Sequence, residues 1–213
     1  GVPDLLLTFK DPKLIDDCSF HPCVRYARFE QDQVISFVPP DGNFELMRYR
    51  ISPDQARNFV PPVYCHAQWS YAATAEAQKP TLDNTNAAQP TKTGRIMLQA
   101  GLSSLHNLIF SQSHKGPLVV EDMSVTIPFP KQTRSNSGLT VNVGSVIYDE
   151  AGKVARWTLG KMDVSKKATL SCSFTMVAET DEEDDSSTTP NLSIFWKVPL
   201  ASVSGLSVSG LSV

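Results

Sequence analysis

A short run of prolines, an aspartate and a glycine does most to limit what this chain can fold into. Val34-Ile35-Ser36-Phe37-Val38 enters Pro39-Pro40-Asp41-Gly42, and Asn43-Phe44-Glu45-Leu46-Met47-Arg48-Tyr49-Arg50-Ile51 leaves it. Proline presets φ and glycine tolerates positive φ, so the segment reads as a turn between two β-rich runs. Alternation along the second run sends Phe44, Leu46 and Arg48 one way, and Glu45, Met47, Tyr49 and Ile51 the other. Similar runs recur at Met123 to Phe129, Thr140 to Tyr148, Leu170 to Val177 and Leu192 to Val198, separated by glycine, proline and polar clusters. That rhythm predicts an all-β, antiparallel sandwich.

Helical signal is sparse. Leu102, Leu105, Leu108 and Ile109 have the spacing to line one face of a short helix. Two stretches read as loops: Ala72 to Gly94, rich in Ala, Thr, Asn and Gln, and Thr180 to Pro190, which holds an acidic run and several hydroxyls. Neither carries enough apolar surface to offset ordering entropy. The near-repeats Ser204-Gly205-Leu206-Ser207-Val208 and Ser209-Gly210-Leu211-Ser212-Val213 read as one strand with glycine kinks rather than a solenoid.

Composition then excludes several function classes. The 213 residues are 41% hydrophobic, enough for a packed core. Nineteen basic face 22 acidic side chains, and five of the acids sit in the one run Asp181-Glu182-Glu183-Asp184-Asp185. The body is therefore nearly neutral, without the basic footprint of a nucleic-acid binder. No apolar run approaches membrane-spanning length and no signal pattern opens the chain, which predicts a soluble protein in a reducing compartment. The sequence starts at Gly1 without a methionine and reads as a fragment or processed form.

Chemistry-bearing clusters are few. Cys18-Ser19-Phe20-His21-Pro22-Cys23 invites a metal reading, yet zinc needs about four converging ligands and no second cluster matches it. On an extended strand Cys18 faces away from His21 and Cys23. Cys65 and His66 are adjacent, so on a strand they diverge, whereas a nucleophilic dyad must converge. No Gly-rich phosphate loop links a strand to a helix. No metal, no cofactor, no catalytic residue and four free thiols are the expectation. The acidic run reads as a solvated loop, with phosphorylation of its neighbouring hydroxyls as the functional alternative.

Ile35 to Arg50 resembles the medium (mu) chain signature of clathrin adaptors, and Ser19-Phe20-His21-Pro22-Cys23-Val24-Arg25 resembles a second block of that family. Arg156-Trp157-Thr158-Leu159-Gly160-Lys161 and Ser204-Gly205-Leu206 follow in the family's order. Gly1-Val2-Pro3-Asp4-Leu5 and Asp16-Asp17 are most similar to its adaptor protein complex 3 branch. The resemblance implies an elongated, all-β mu-homology domain of two antiparallel β-sandwich subdomains, the second inserted into the first. Residues 1–60 and 198–213 would form a signal-binding subdomain, and 61–197 the inserted one.

The implied activity is recognition of Tyr-x-x-Φ sorting signals in cytosolic tails of membrane cargo, Φ being a bulky apolar residue, for transport to lysosome or vacuole. The peptide would lie extended beside a sheet edge. Val208 and Leu211 match the family's apolar pocket for Φ, against a plain core-packing role for both. The tyrosine pocket uses segments before Gly1 and beyond Val213. The segment Val143 to Asp149 matches a phosphoinositide-binding lysine cluster of some members but contains no lysine. Implied partners are cargo-tail peptides, the large and small adaptor subunits and an Arf-type small GTPase, on Golgi and endosomal membranes. The rival within the fold is a coatomer, stonin or muniscin-type domain that docks subunits without reading signals.

Overall fold

The computed structural model describes residues 4–56, 59–72, 91–113, 116–177, 189–199, 201–202 and 204–213. The chain divides into two compact units, Gly1–Val60 with Leu200–Val213, and the continuous segment Pro61–Pro199. Thirteen strands, three short α-helices and one 3-10 turn (Pro12–Leu14) are described, and every strand pairing is antiparallel.

The discontinuous unit contains β1 (Leu5–Phe9), β2 (Ile15–Phe20), α1 (Tyr26–Asp32), β3 (Val34–Phe37), β4 (Met47–Ile51) and α2 (Pro53–Ala56). A three-stranded sheet and a two-stranded ribbon, β2 with β4, make up its β structure. The two runs flanking Pro39 to Gly42 thus join different sheets: the chain bends at Asp41 and Gly42, where Gly42 takes φ 80°, but the arms do not pair. The second strand also starts late, at Met47. Phe44, Leu46 and Met47 all pack on the small core of Phe29, Ile35 and Phe37, so the alternation expected from Asn43 onward fails. Residues outside a ladder have no pleat to enforce it. Helix α1 buries only Phe29, and Gln33 closes it at φ 57° while its side-chain amide donates to the Phe29 carbonyl. One buried residue gives no helical period, which is why the sequence did not reveal it.

The continuous unit contains β5 (Val63–Tyr71), β6 (Thr91–Leu102), α3 (Ser104–Ser113), β7 (Val119–Pro128), β8 (Thr133–Val141), β9 (Ser145–Asp149), β10 (Val154–Asp163), β11 (Ala168–Val177) and β12 (Ser193–Lys197). Its two four-stranded sheets, in the orders β12-β7-β10-β9 and β5-β6-β11-β8, form a sandwich. The inner faces alternate cleanly: Ile96, Leu98 and Ala100 on β6 meet Val125, Ile127 and Trp157 from the other sheet in one buried cluster. Trp157 is fully buried, and its indole N–H donates to the Val143 carbonyl at 2.9 Å. Beside it Gly144 turns the chain at φ 75°, where a Cβ would lie 2.0 Å from the Thr158 carbonyl oxygen. That turn splits the expected single run Thr140 to Tyr148 into β8 and β9.

Two further expectations change. Thr91 to Gly94, read as loop, belongs to β6, where pairing with Phe174 to Val177 on β11 overrides its weak composition. Residues 73–90 and 178–188, the bulk of both expected loops, lie outside the described residues. A helix does follow Leu102, but Leu102 itself belongs to β6, and Leu105 and Leu108 stand 55% and 57% exposed. Leu105 and Leu108 are therefore not buried against the core, and the side chain of Ile109 lies outside those described.

Candidate functional site

The sequence singles out Val208 and Leu211, and both lie on the last strand, β13 (Val208–Ser212). The three-stranded sheet has the order β13-β1-β3, so β13 is an edge strand. Every residue of β13 is exposed, Val208 at 50% and Leu211 at 60%. Neither is a core residue in this structure. An edge strand presents a row of backbone donors and acceptors to whatever extended chain lies beside it.

Residues three apart on a regular strand point to opposite faces. Here they do not, because the ladder slips. Leu6, Leu7 and Thr8 oppose Ser212, Leu211 and Gly210, whereas Phe9 opposes Val208. The shifted register continues, since the Lys10 amide donates to the Ser207 carbonyl at 3.0 Å. One extra residue, Ser209, is thus inserted in β13, a β-bulge. Cross-strand partners share a face, so Leu211 sits with Leu7 and Val208 with Phe9. Leu7 and Phe9 are themselves on one face of β1, and both pack against the Phe29, Ile35 and Phe37 core. The bulge therefore gathers Val208 and Leu211 on the apolar face, as its exposed margin. Leu7, Phe9 and Ser209 escaped the sequence reading, although Leu5-Leu6-Leu7-Thr8-Phe9 is a compact apolar run that signals a strand.

A second feature of the same unit is a shallow depression of about 390 Å³ at one end of the β2–β4 ribbon. Ser19, Phe20, His21, Phe44, Glu45, Met47 and Arg48 line it. Arg48 is held by Glu45, and Arg50 lies 3.5 Å from Asp17, both pairs exposed and so worth little to stability.

The Cys18–Cys23 segment does not keep the alternation expected of one strand. Strand β2 ends at Phe20, the chain turns, and Cys18 and Cys23 both pack against the small core. His21 Nδ1 accepts from the Cys23 amide at 3.2 Å, a local turn bond. Among the described residues no three His, Cys, Asp or Glu side chains cluster as a metal site, and the four cysteines are unpaired. Cys65 and His66 diverge on β5: Cys65 packs on the sandwich core while His66 stacks on Tyr64 at 5.1 Å. Burial pushes the Cys65 thiol up to about 11, and raises Cys172 as well, the opposite of what a nucleophile needs. Among the described residues no helix is long and apolar enough to cross a membrane.

Comparison with known proteins bears on the family and the fold. The AP-3 complex subunit mu of Dictyostelium discoideum is 36% identical over 212 residues, covering 100% of this chain and 43% of that protein. The human AP-3 complex subunit mu-1 is 32% identical over 214 residues, with the same coverage of 100% and 43%. The chain thus spans less than half the length of these curated relatives. Among solved structures, the Fcho1 mu homology domain of Danio rerio, determined with a bound Eps15 peptide, superposes with a TM-score of 0.57 at 16% identity. That match covers 99% of this chain and 72% of that one, and it places the fold as that of a mu-homology domain. The adaptor complexes medium subunit family, a non-enzymatic component of membrane trafficking, matches residues 1–213, and the chain belongs to it.

Proposed function

We propose that this chain is the cargo-recognition part of an adaptor-complex medium subunit of the adaptor complex 3 type. It binds Tyr-x-x-Φ signals in cytosolic tails of membrane proteins and selects them for transport to lysosome or vacuole. It catalyses nothing. The observation that carries the reading is the exposed apolar pair Val208 and Leu211, gathered on one face of edge strand β13. An extended peptide gains backbone hydrogen bonds from such an edge, and an apolar side chain gains by covering such a pair. Gly1–Val60 with Leu200–Val213 is then the signal-reading unit, and Pro61–Pro199 the inserted one. Large and small adaptor subunits and an Arf-type GTPase hold the protein peripherally on Golgi and endosomal membranes.

The test is titration of the full-length protein with a Tyr-x-x-Leu peptide and its Tyr→Ala and Leu→Ala forms. Binding that needs both side chains is expected. Binding indifferent to both would overturn the reading and leave subunit docking without signal recognition.

A further inference from the structure

The spacing between Val208 and Leu211 suits a single apolar subsite only because of the bulge at Ser209. In an unbroken ladder the two side chains would emerge on opposite faces of β13. Three observations identify what holds the bulge in place. The Thr8 and Ser209 hydroxyls are hydrogen-bonded at 2.8 Å, across the point where the register slips. Gly210, which opposes Thr8, has no side chain there, and a Cβ at that position would lie 3.2 Å from Thr8 Oγ1. On the far side of the slip, the Lys10 to Ser207 backbone bond holds the new register. Thr8, Ser209 and Gly210 all lie away from the face bearing Leu7, Phe9, Val208 and Leu211, so the hydroxyl pair cannot touch a side chain bound there.

We infer that Thr8 and Ser209 are positioning residues for the apolar-side-chain subsite, their hydroxyl bond fixing the bulge that turns Val208 and Leu211 to one face. The inference rests on the cargo reading above, and it deepens it: the reader of Φ is set by a register slip, not by the apolar residues alone. Glycine at 210 leaves the Thr8 hydroxyl its place, since a Cβ there would lie 3.2 Å from Thr8 Oγ1 and the hydroxyl would have to shift by a few tenths of an ångström.

The experiment measures, in the full-length protein, two affinity ratios: Tyr-x-x-Leu over Tyr-x-x-Ala, and Tyr-x-x-Leu over Ala-x-x-Leu. Thr8→Val keeps the shape and removes the hydroxyl, Thr8→Ser restores it, and deletion of Ser209 removes the bulge. The leucine ratio is expected to fall roughly 3-fold in Thr8→Val, the scale of one net hydrogen bond, and to return in Thr8→Ser. Deletion of Ser209 should bring it close to one. The tyrosine ratio should stay at its wild-type value throughout, which a merely structural lesion would not allow. Wild-type leucine ratios in Thr8→Val and in the deletion overturn the inference, as does an equal fall of both ratios. Should the deleted protein not fold, the Thr8 pair of variants decides alone. A wild-type protein with no leucine preference overturns the cargo reading itself, and this inference with it, and is recognised before any variant is made.

Discussion

The two units solve the same packing problem with different thoroughness. In the continuous unit, two four-stranded sheets close over a buried cluster from Val63 to Phe174, with Trp157 its largest fully buried side chain. In the discontinuous unit the buried core of described residues is Phe29, Ile35 and Phe37, ringed by half-buried neighbours such as Leu5, Leu7 and Phe9. A sandwich with two covered inner faces spends its apolar residues on itself. A small sheet ending in an exposed edge strand leaves some of them available. The candidate binding pair lies in the second kind of unit, on its margin, because a residue already committed to a core has nothing left to offer a ligand.

If that contrast holds, the largest destabilisation anywhere should come from the sandwich core. Trp157→Ala removes a fully buried indole and leaves the Val143 carbonyl without its donor. A cost of about 3–5 kcal/mol is expected, read as an early melting transition. A loss under about 1 kcal/mol would mean the core is far looser than its burial suggests. Gly144→Ala should come next. It places a methyl on the Thr158 carbonyl at a φ of 75°, so about 2 kcal/mol or more is expected from clash and backbone strain together. The check is the same melt, with Gly138→Ala as control: its φ is 61° but nothing lies within 4 Å, so it bears strain alone.

A smaller effect depends on pH. The Cys65 thiol is raised to about 11 by burial on the sandwich core, so the folded protein holds its proton where the unfolded chain has released it. Stability from this group is complete below the ordinary thiol range and is lost as pH climbs through about 9 toward about 11. Wild-type protein should therefore lose melting temperature over that interval faster than Cys65→Ala does. Parallel curves would show that the thiol is not buried as described.

How legible this was in the sequence follows the same divide. The sandwich strands β7, β11 and β12 showed themselves by alternation, because each has one face in a core and one in solvent. The break between β8 and β9 did not, because it depends on Gly144 passing close to the Thr158 carbonyl, a contact no local pattern encodes. In the smaller unit, local signals misled more often. Pro39 to Gly42 marked a break between strands, with a bend at Asp41 and Gly42, yet which strands its arms would join was a matter of long-range pairing. In the larger unit, Leu105 and Leu108 have helical spacing and sit on a helix, but they are exposed. Val208 and Leu211 came from family resemblance. Their odd spacing, taken by itself, argued against a shared face, and only the register of β13 on β1 reverses that.

The smallest expected change in stability is at the site itself, and it sets the contrast most sharply. Leu211 is 60% exposed on an edge strand, opposite Leu7. Truncating it to alanine removes little buried area, so the melting temperature should move by less than about 2 °C, under about 0.5 kcal/mol. The same truncation should weaken binding of a Tyr-x-x-Leu peptide by roughly 10-fold, since a ligand leucine that covers this residue gains about 1.5 kcal/mol from it. The two measurements on one variant separate the roles that a leucine can have. A large fall in melting temperature would make Leu211 part of the core after all, against its exposure. An unchanged melt with unchanged affinity would leave the apolar margin of β13 without a ligand, and the site would have to be sought elsewhere on the unit, with the depression at the end of the β2–β4 ribbon as the next surface to mutate.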